Sequence, residues 1–359
     1  MIEYIQILRF VAAVWVAIFH GALVGMFLGV APWMDFVINW GYAGVDIFFV
    51  ISGVIMAHST KNTPDRPRAA GAFFLIRFSR IYTGWWPAML LYVIFFKVTH
   101  QLGPQFDLKA SFFLYFTELS GLINIAIWSL MFELYFYVIL SIGLLFQKRH
   151  RNLFLKLFFI ILVLMNVYLL VKRSAVNGNA DFNWIQMFYI APIVAEFFMG
   201  YFLYHYIKDD SRLSWKMWGL IAIVLAALII YLAPHFADRP YGLANPYYWP
   251  ERAVLIGGAA LAMVGMALKL PSPRNRIALA FAKLGDYSYA IYLLHTLAFS
   301  MMLALLPWGN LNNHYRIIVA VATMMVLLLA SAAYYHWVEH PAYMFCRNKI
   351  SRLLNSSSQ

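Results

Sequence analysis

Apolar runs long enough to cross a bilayer recur along nearly the whole chain, and this repetition is what most constrains its fold. A membrane-spanning helix needs about 20 mostly apolar residues. Ten stretches qualify: 7–28, 40–58, 82–100, 128–147, 153–171, 186–207, 215–233, 251–269, 283–305 and 316–338. Hydrophobic residues make up 63% of the chain and charged residues 12%. Soluble domains run at roughly 45–50% apolar and about 25% charged. The surplus cannot be hidden in one soluble core, so lipid must be the solvent. The expected fold class is all-α, a polytopic transmembrane helix bundle of about ten transmembrane helices. Aromatic residues at 18% fit Trp and Tyr belts at the two interfaces. The stretch 110–127 is apolar too, and reads as an interfacial or re-entrant helix outside the count.

Loop charges test this partition. The gaps after the odd-numbered spans hold few basic residues: Lys109, Lys172, Arg173 and Arg239. Those after the even-numbered spans are basic. Lys61, Arg66, Arg68, Arg77 and Arg80 follow the second span, and Lys148, Arg149, Arg151 and Lys156 the fourth. Lys208, Arg212 and Lys216 follow the sixth, Lys269, Arg274, Arg276 and Lys283 the eighth, and Arg347, Lys349 and Arg352 the tenth. By the positive-inside rule, both the N- and C-termini are expected in the cytoplasm. The formal charge of +12 then reflects loop asymmetry and anionic lipid headgroups, and no nucleic-acid partner is expected. The first run lacks a small-residue cleavage site and is read as a retained span. Residues 1–345 are expected to form one transmembrane domain, with 346–359 a short cytoplasmic tail. The single cysteine, Cys346, permits neither an intrachain disulfide nor a cysteine cluster, and no metal site is expected.

Ionisable groups inside spans cost at least about 2.5–3.5 kcal/mol each near the bilayer centre, and so are candidates for function. His20, Asp46, Glu133, Glu196 and His295 fall inside expected spans. In the inferred topology they gather in the outer half of the membrane, as a reaction chamber open to the outside would require. Arg9 and His20 are eleven residues apart, close to three turns, so they share one face of a helix about 16 Å apart along its axis. A cation near the inner leaflet and an imidazole far above it would then address one pathway. The competing readings are structural: Arg9 snorkelling to headgroups, His20 packed by a hydrogen bond, the acids paired with one another. Arg77 and Arg80 are three apart on one helix face before the third span, a geometry suited to phosphate or carboxylate.

Six strings run in order along the chain: IQILRFVAAVWVAIFH from Ile5, GYAGVDIFFVISGVIM from Gly41, FLIRFSRIY from Phe74, WSLMFELYFY from Trp128, GDYSYAIYLLH from Gly285 and VEHP from Val338. In order and spacing the chain resembles the acyltransferase-3 family of bacterial inner-membrane enzymes, which includes exopolysaccharide and O-antigen acetylases. The resemblance implies ten core spans and transfer of an acyl group, usually acetyl, from cytoplasmic acyl-CoA to a sugar hydroxyl. Arg9 and His20 match the family's Arg–His motif. Arg77 and Arg80 match its double-arginine motif, linked to the acyl donor. Glu133 matches the acid of a motif that begins at Trp128 and Ser129, and Asp46 lies in the span-two motif. The family's arginine motif usually continues to proline where this chain has Thr83, with Pro87 further on.

The expected function is therefore that of a membrane O-acyltransferase of the bacterial inner (cytoplasmic) membrane, acting on a cell-surface or lipid-linked carbohydrate. Acetyl-CoA or another acyl-CoA would be a co-substrate, with no tightly bound cofactor. His20 would act as base or as a transient acyl carrier, with Glu133 or Asp46 orienting its ring. Arg9, Arg77 and Arg80 would hold coenzyme A phosphates. Trp128, Ser129, Glu196 and His295 are weaker candidates for substrate binding. Membrane lipids are expected partners, and a homo-oligomer is compatible with the sequence. The alternative is a polytopic transporter or flippase of a lipid-linked glycan, with the intramembrane acids and histidines relaying protons. No inverted repeat or paired broken helices of the kind such folds show is legible.

Overall fold

The computed structural model describes residues 2–27, 32–64, 67–175, 188–208, 212–236, 250–306 and 311–356. Among them all regular structure is helical. The helices are α1 (Ile2–Leu23), α2 (Pro32–Asn39), α3 (Gly44–Thr60), α4 (Pro67–Val98), α5 (Leu108–Phe113), α6 (Trp128–Gly143) and α7 (Lys148–Ala175). They continue as α8 (Val194–Lys208), α9 (Trp215–Leu232), α10 (Pro250–Lys269), α11 (Arg276–Leu284), α12 (Ser288–Leu305), α13 (Asn313–Tyr334) and α14 (His340–Ser356). Nine helical stretches among the described residues are long and apolar enough to cross a membrane. Nine of the ten expected spans are recovered. The sixth, 186–207, begins outside the described residues, and its described helix α8 has 15 residues. Arg66 and Arg239 also lie outside the described residues.

Two helix boundaries differ from the sequence reading. The third span was expected from residue 82, but α4 starts at Pro67, so the helix face carrying Arg77 and Arg80 belongs to the same continuous helix as the span. Hydropathy marks membrane residence, whereas a helix can begin well outside the apolar stretch, and Pro67 suits its first position. The tenth span was expected to end near 338. Instead the chain passes through a π-helical turn, Tyr335–Glu339, into α14. Such turns insert one extra residue per turn and are frequent at functional sites.

The chain divides into two compact units. The first comprises residues 1–9, 43–70 and 135–282. In it α3 and α8 meet backbone to backbone. A Cβ built on Gly53 would stand 2.0 Å from the Phe197 carbonyl oxygen, and one on Gly200 2.0 Å from that of Val50. Only glycine permits that approach, the usual device where lipid offers no hydrophobic drive between helices. Gly265 makes similar room for the Trp218 indole, joining α10 to α9. The rings of Phe49 on α3 and Phe136 on α6 both pack on that of Phe197 on α8, at centroid separations of 4.4 and 4.6 Å. Pro192 stops the helix ahead of α8. The exposed carbonyls there are taken by side chains: Asn166 Nδ2 donates to Ile190 at 3.0 Å and the Tyr135 hydroxyl to Tyr189 at 3.2 Å. By contrast, α9 is apolar along its length yet buries only Trp218 and Ile229 within the chain. So apolar a surface left uncovered needs lipid.

The second unit comprises residues 10–42, 71–134 and 283–359. Here the 110–127 region resolves into the six-residue helix α5 and two 3-10 turns, Leu119–Gly121 and Ile125–Ile127. A short helix leaves its last carbonyls unpaired, which is costly away from water. Three aromatic donors of α4 meet them: Trp85 Nε1 to Ser111 (2.6 Å), Trp86 Nε1 to Phe112 (3.1 Å) and the Tyr82 hydroxyl to Phe113 (2.7 Å). This explains why aromatic residues crowd the start of the expected third span. The turn before α6 is tied to α12. Asn124 accepts from the Ala126 N–H and the Thr296 hydroxyl and donates to the Leu293 carbonyl. The Tyr292 hydroxyl donates to the Ala126 carbonyl. Non-helical backbone is thus tolerated because protein groups complete its hydrogen bonds.

Candidate functional site

Helix α1 is apolar but for Glu3, Gln6, Arg9 and His20, and runs unbroken from Ile2 to Leu23. Its continuity sets Arg9 and His20 about 16 Å apart along the axis. Arg9 Nη1 donates to Gln6 Oε1 at 2.8 Å, one turn earlier. His20 is half-buried. Its Nδ1 lies 3.0 Å from the Val16 carbonyl oxygen and 3.3 Å from Nε2 of His295.

His295 arrives on α12 by helical periodicity. Tyr292, His295 and Phe299 recur at steps of three and four and form one stripe. The imidazole is fully buried and lies between its neighbours on that stripe, with centroids 5.8 Å from Tyr292 and 6.0 Å from Phe299. Its Nδ1 faces backbone carbonyls, Tyr292 at 2.8 Å and Ile291 at 3.3 Å. The two imidazoles are tilted, centroids 4.9 Å apart. Two histidines 275 positions apart in sequence thus form one hydrogen-bonded pair within the second unit.

Other polar groups of the second unit stand nearby in the fold. Ser129 is buried, its hydroxyl bonded to that of Tyr292 at 2.6 Å. Trp128 packs edge-on to Phe132. Glu133 is half-buried, close enough to the hydroxyls of Tyr289 and Tyr292 to act on both electrostatically. Arg80 donates to Glu339, a fully buried carboxylate in the π-helical turn, and lies over the rings of Tyr289 and Tyr343 at 5.1 and 5.5 Å. Gly84 leaves room for Tyr289, since a Cβ there would lie 2.5 Å from its ring. The Tyr289 hydroxyl in turn donates to the Ile81 carbonyl at 2.8 Å. The two arginines of the motif therefore have different surroundings: Arg77 lies over Phe73 at 5.8 Å, while Arg80 has its charge matched inside the protein.

The remaining candidates belong to the first unit. Asp46 is fully buried and gripped by Arg252 in a bidentate pair, Nε to Oδ1 at 3.1 Å and Nη2 to Oδ2 at 2.7 Å. Glu196 is equally buried and within electrostatic reach of both. Gly257 makes space for it, because a Cβ there would lie 2.9 Å from Glu196 Cγ. Such a cluster braces helices α3, α8 and α10. The structure gives Asp46 a cationic partner, and the nitrogen of His20 that an orienting acid would take faces His295 and Val16 instead.

Sequence reasoning missed Arg252 and the partnership of Arg80 with Glu339. A signal existed for the first: Arg252 opens an apolar span and needs a counterion there, and Asp46 is one of few acids inside a span. Comparison with curated proteins and with solved structures gives no match. The family model described as an acyltransferase domain matches residues 2–336. That is nearly the whole chain, including the helices carrying His20, Asp46, Arg80, Glu133 and His295. The chain accordingly belongs to the acyltransferase-3 family.

Proposed function

We propose that this protein is a membrane O-acyltransferase that moves an acyl group, acetyl in the simplest case, from cytoplasmic acyl-CoA to a hydroxyl of a cell-surface or lipid-linked carbohydrate. The reading is carried by the His20–His295 pair, set within apolar helices of a chain that belongs to an acyltransferase family. Acyl transfer to a hydroxyl needs a base for the acceptor, a held thioester and stabilisation of the developing oxyanion. His20 is the proposed base, since an imidazole changes protonation near neutral pH. Arg9 and Arg77 are the proposed donors to coenzyme A phosphates, with Arg80 shaping the same helix through Glu339. Glu133, within electrostatic reach of the tyrosines of α12, is the proposed acid of the site. The basic loops support a cytoplasmic donor and cytoplasmic termini, and the bacterial inner membrane is the proposed location. A carbohydrate acceptor rests on the resemblance of the motifs to surface-glycan acetylases.

The experiment is acyl transfer by the purified protein in lipid nanodiscs, supplied with radiolabelled acetyl-CoA and a panel of lipid-linked glycans. Label should pass to the glycan with release of free coenzyme A, and His20→Ala should abolish both. Full transfer by His20→Ala would remove the proposed role.

A further inference from the structure

The histidine pair has one consistent protonation pattern in its neutral state. His295 Nδ1 faces two carbonyl oxygens, at 2.8 and 3.3 Å, and a lone pair there would be repelled by both. It therefore carries the proton and donates. A neutral imidazole holds one ring proton, so Nε2 of the buried His295 is an acceptor. Facing it is His20 Nδ1, which also faces the Val16 carbonyl at 3.0 Å. With acceptors on both sides, His20 Nδ1 is the donor. Its own single proton is then spent, and the lone pair remains on Nε2, which has no hydrogen bond among the described residues. The order of donors and acceptors runs one way, from His20 through His295 to the backbone of α12.

We infer that His295 is a positioning residue that holds His20 as the Nδ1-protonated tautomer and leaves Nε2 as the base. The inference deepens the acyltransferase reading and rests on it for the chemistry. An acid fills this position in a hydrolase triad; here a neutral, fully buried imidazole fills it. As the acceptor hydroxyl oxygen bonds to the thioester carbonyl carbon, its proton moves to His20 Nε2. The carbon–sulfur bond then breaks, the thiolate takes that proton back, and free coenzyme A leaves with His20 neutral again. While His20 carries both protons, its Nδ1–H is shared between the Val16 carbonyl and His295 Nε2. The Val16 bond is local to α1, at one turn's separation, and leaves the ring free to swing. The second acceptor, on another helix, fixes the plane of the ring.

Two measurements test this. In protein labelled with 15N-histidine and held in lipid bilayers without acyl donor, solid-state NMR distinguishes protonated from bare ring nitrogens, with His20→Gln assigning the signals. At neutral pH, His20 is expected to show a protonated Nδ1 and a bare Nε2; the reverse overturns the inference. In the transfer assay, His295→Phe keeps the ring volume but removes the acceptor, while His295→Gln reaches the same place with an amide oxygen. The expected result is a fall of about 10²-fold in kcat for His295→Phe, with KM for acyl-CoA unchanged, and recovery to within roughly tenfold of wild type for His295→Gln. Wild-type kcat in His295→Phe overturns the inference. Should His295→Phe not fold, the NMR result and the His295→Gln variant still decide it. Absence of any transfer by the wild-type protein would overturn the function while the NMR spectrum still judged the pair.

Discussion

Replacing Arg252 by Met should damage the protein more than replacing Arg252 and Asp46 together. Both side chains are out of contact with solvent, at 1% and 0% exposure, and are joined by two hydrogen bonds. A buried pair of this kind has little net stabilising value, because the cost of removing two charges from water offsets their attraction. Deleting one partner is different, since it leaves an uncompensated buried charge at a cost of about 3–5 kcal/mol. Arg252→Met also withdraws the cation shared with Glu196, leaving two carboxyl groups facing each other. The double variant Asp46→Asn/Arg252→Met removes the two charges of the bidentate pair together; Glu196 then faces a neutral amide instead of a second carboxylate, and the amide left to be satisfied costs about 1–3 kcal/mol. Thermal unfolding of the detergent-solubilised protein, followed by the fraction remaining monodisperse, measures these costs. At roughly 2 °C per kcal/mol for a chain of this size, Arg252→Met should lower Tm by about 6–10 °C, with the double variant falling by less. Additive losses, or a shift below about 2 °C for the single variant, would refute the reasoning.

Other contacts give further expectations. Gly200→Ala places a methyl group 2.0 Å from the Val50 carbonyl and should reduce the yield of folded protein sharply, while Gly71→Ala, with nothing within 4 Å, should leave it unchanged; size-exclusion profiles of detergent extracts report both. Trp85→Phe removes the donor to the Ser111 carbonyl at a buried site and should cost about 1–3 kcal/mol in the same melting assay. Arg77→Ala should raise KM for acyl-CoA about tenfold with little change in Tm, as loss of one charge-assisted phosphate contact implies. Arg80→Ala strands the buried Glu339 carboxylate and should lower Tm by several degrees, which separates the two arginines of one motif.

Much of this architecture was legible in the sequence, because crossing a bilayer imposes a length and a composition that hydropathy reads directly. Nine spans were recovered on that basis. What escaped had other causes. The start of α4 at Pro67 precedes its apolar stretch by fifteen positions, since a helix continues where hydropathy does not. Within the sixth expected span the helix breaks at Pro192, by a backbone rule that counting apolar residues does not register. The site was legible only residue by residue. His20 and His295 were singled out because imidazoles are costly in lipid, but nothing local announces that residues 275 positions apart hydrogen-bond. Likewise, Asp46 looked like a candidate catalytic acid for the same reason that made it conspicuous, an intramembrane charge. Its partner, Arg252, lies 206 positions away. Depth and residue type select candidates, and three-dimensional pairing then separates those locked in buried ion pairs from the histidine pair proposed for chemistry.

The proposal that this chain acylates a carbohydrate through His20 is tested most directly in the cell that makes both. Surface and lipid-linked glycans from a deletion strain, complemented either with the wild-type chain or with His20→Ala at matched membrane levels, can be compared by mass spectrometry. An acyl mass present with the wild type and missing with His20→Ala is the predicted result. Glycans of identical mass from the two strains would contradict it.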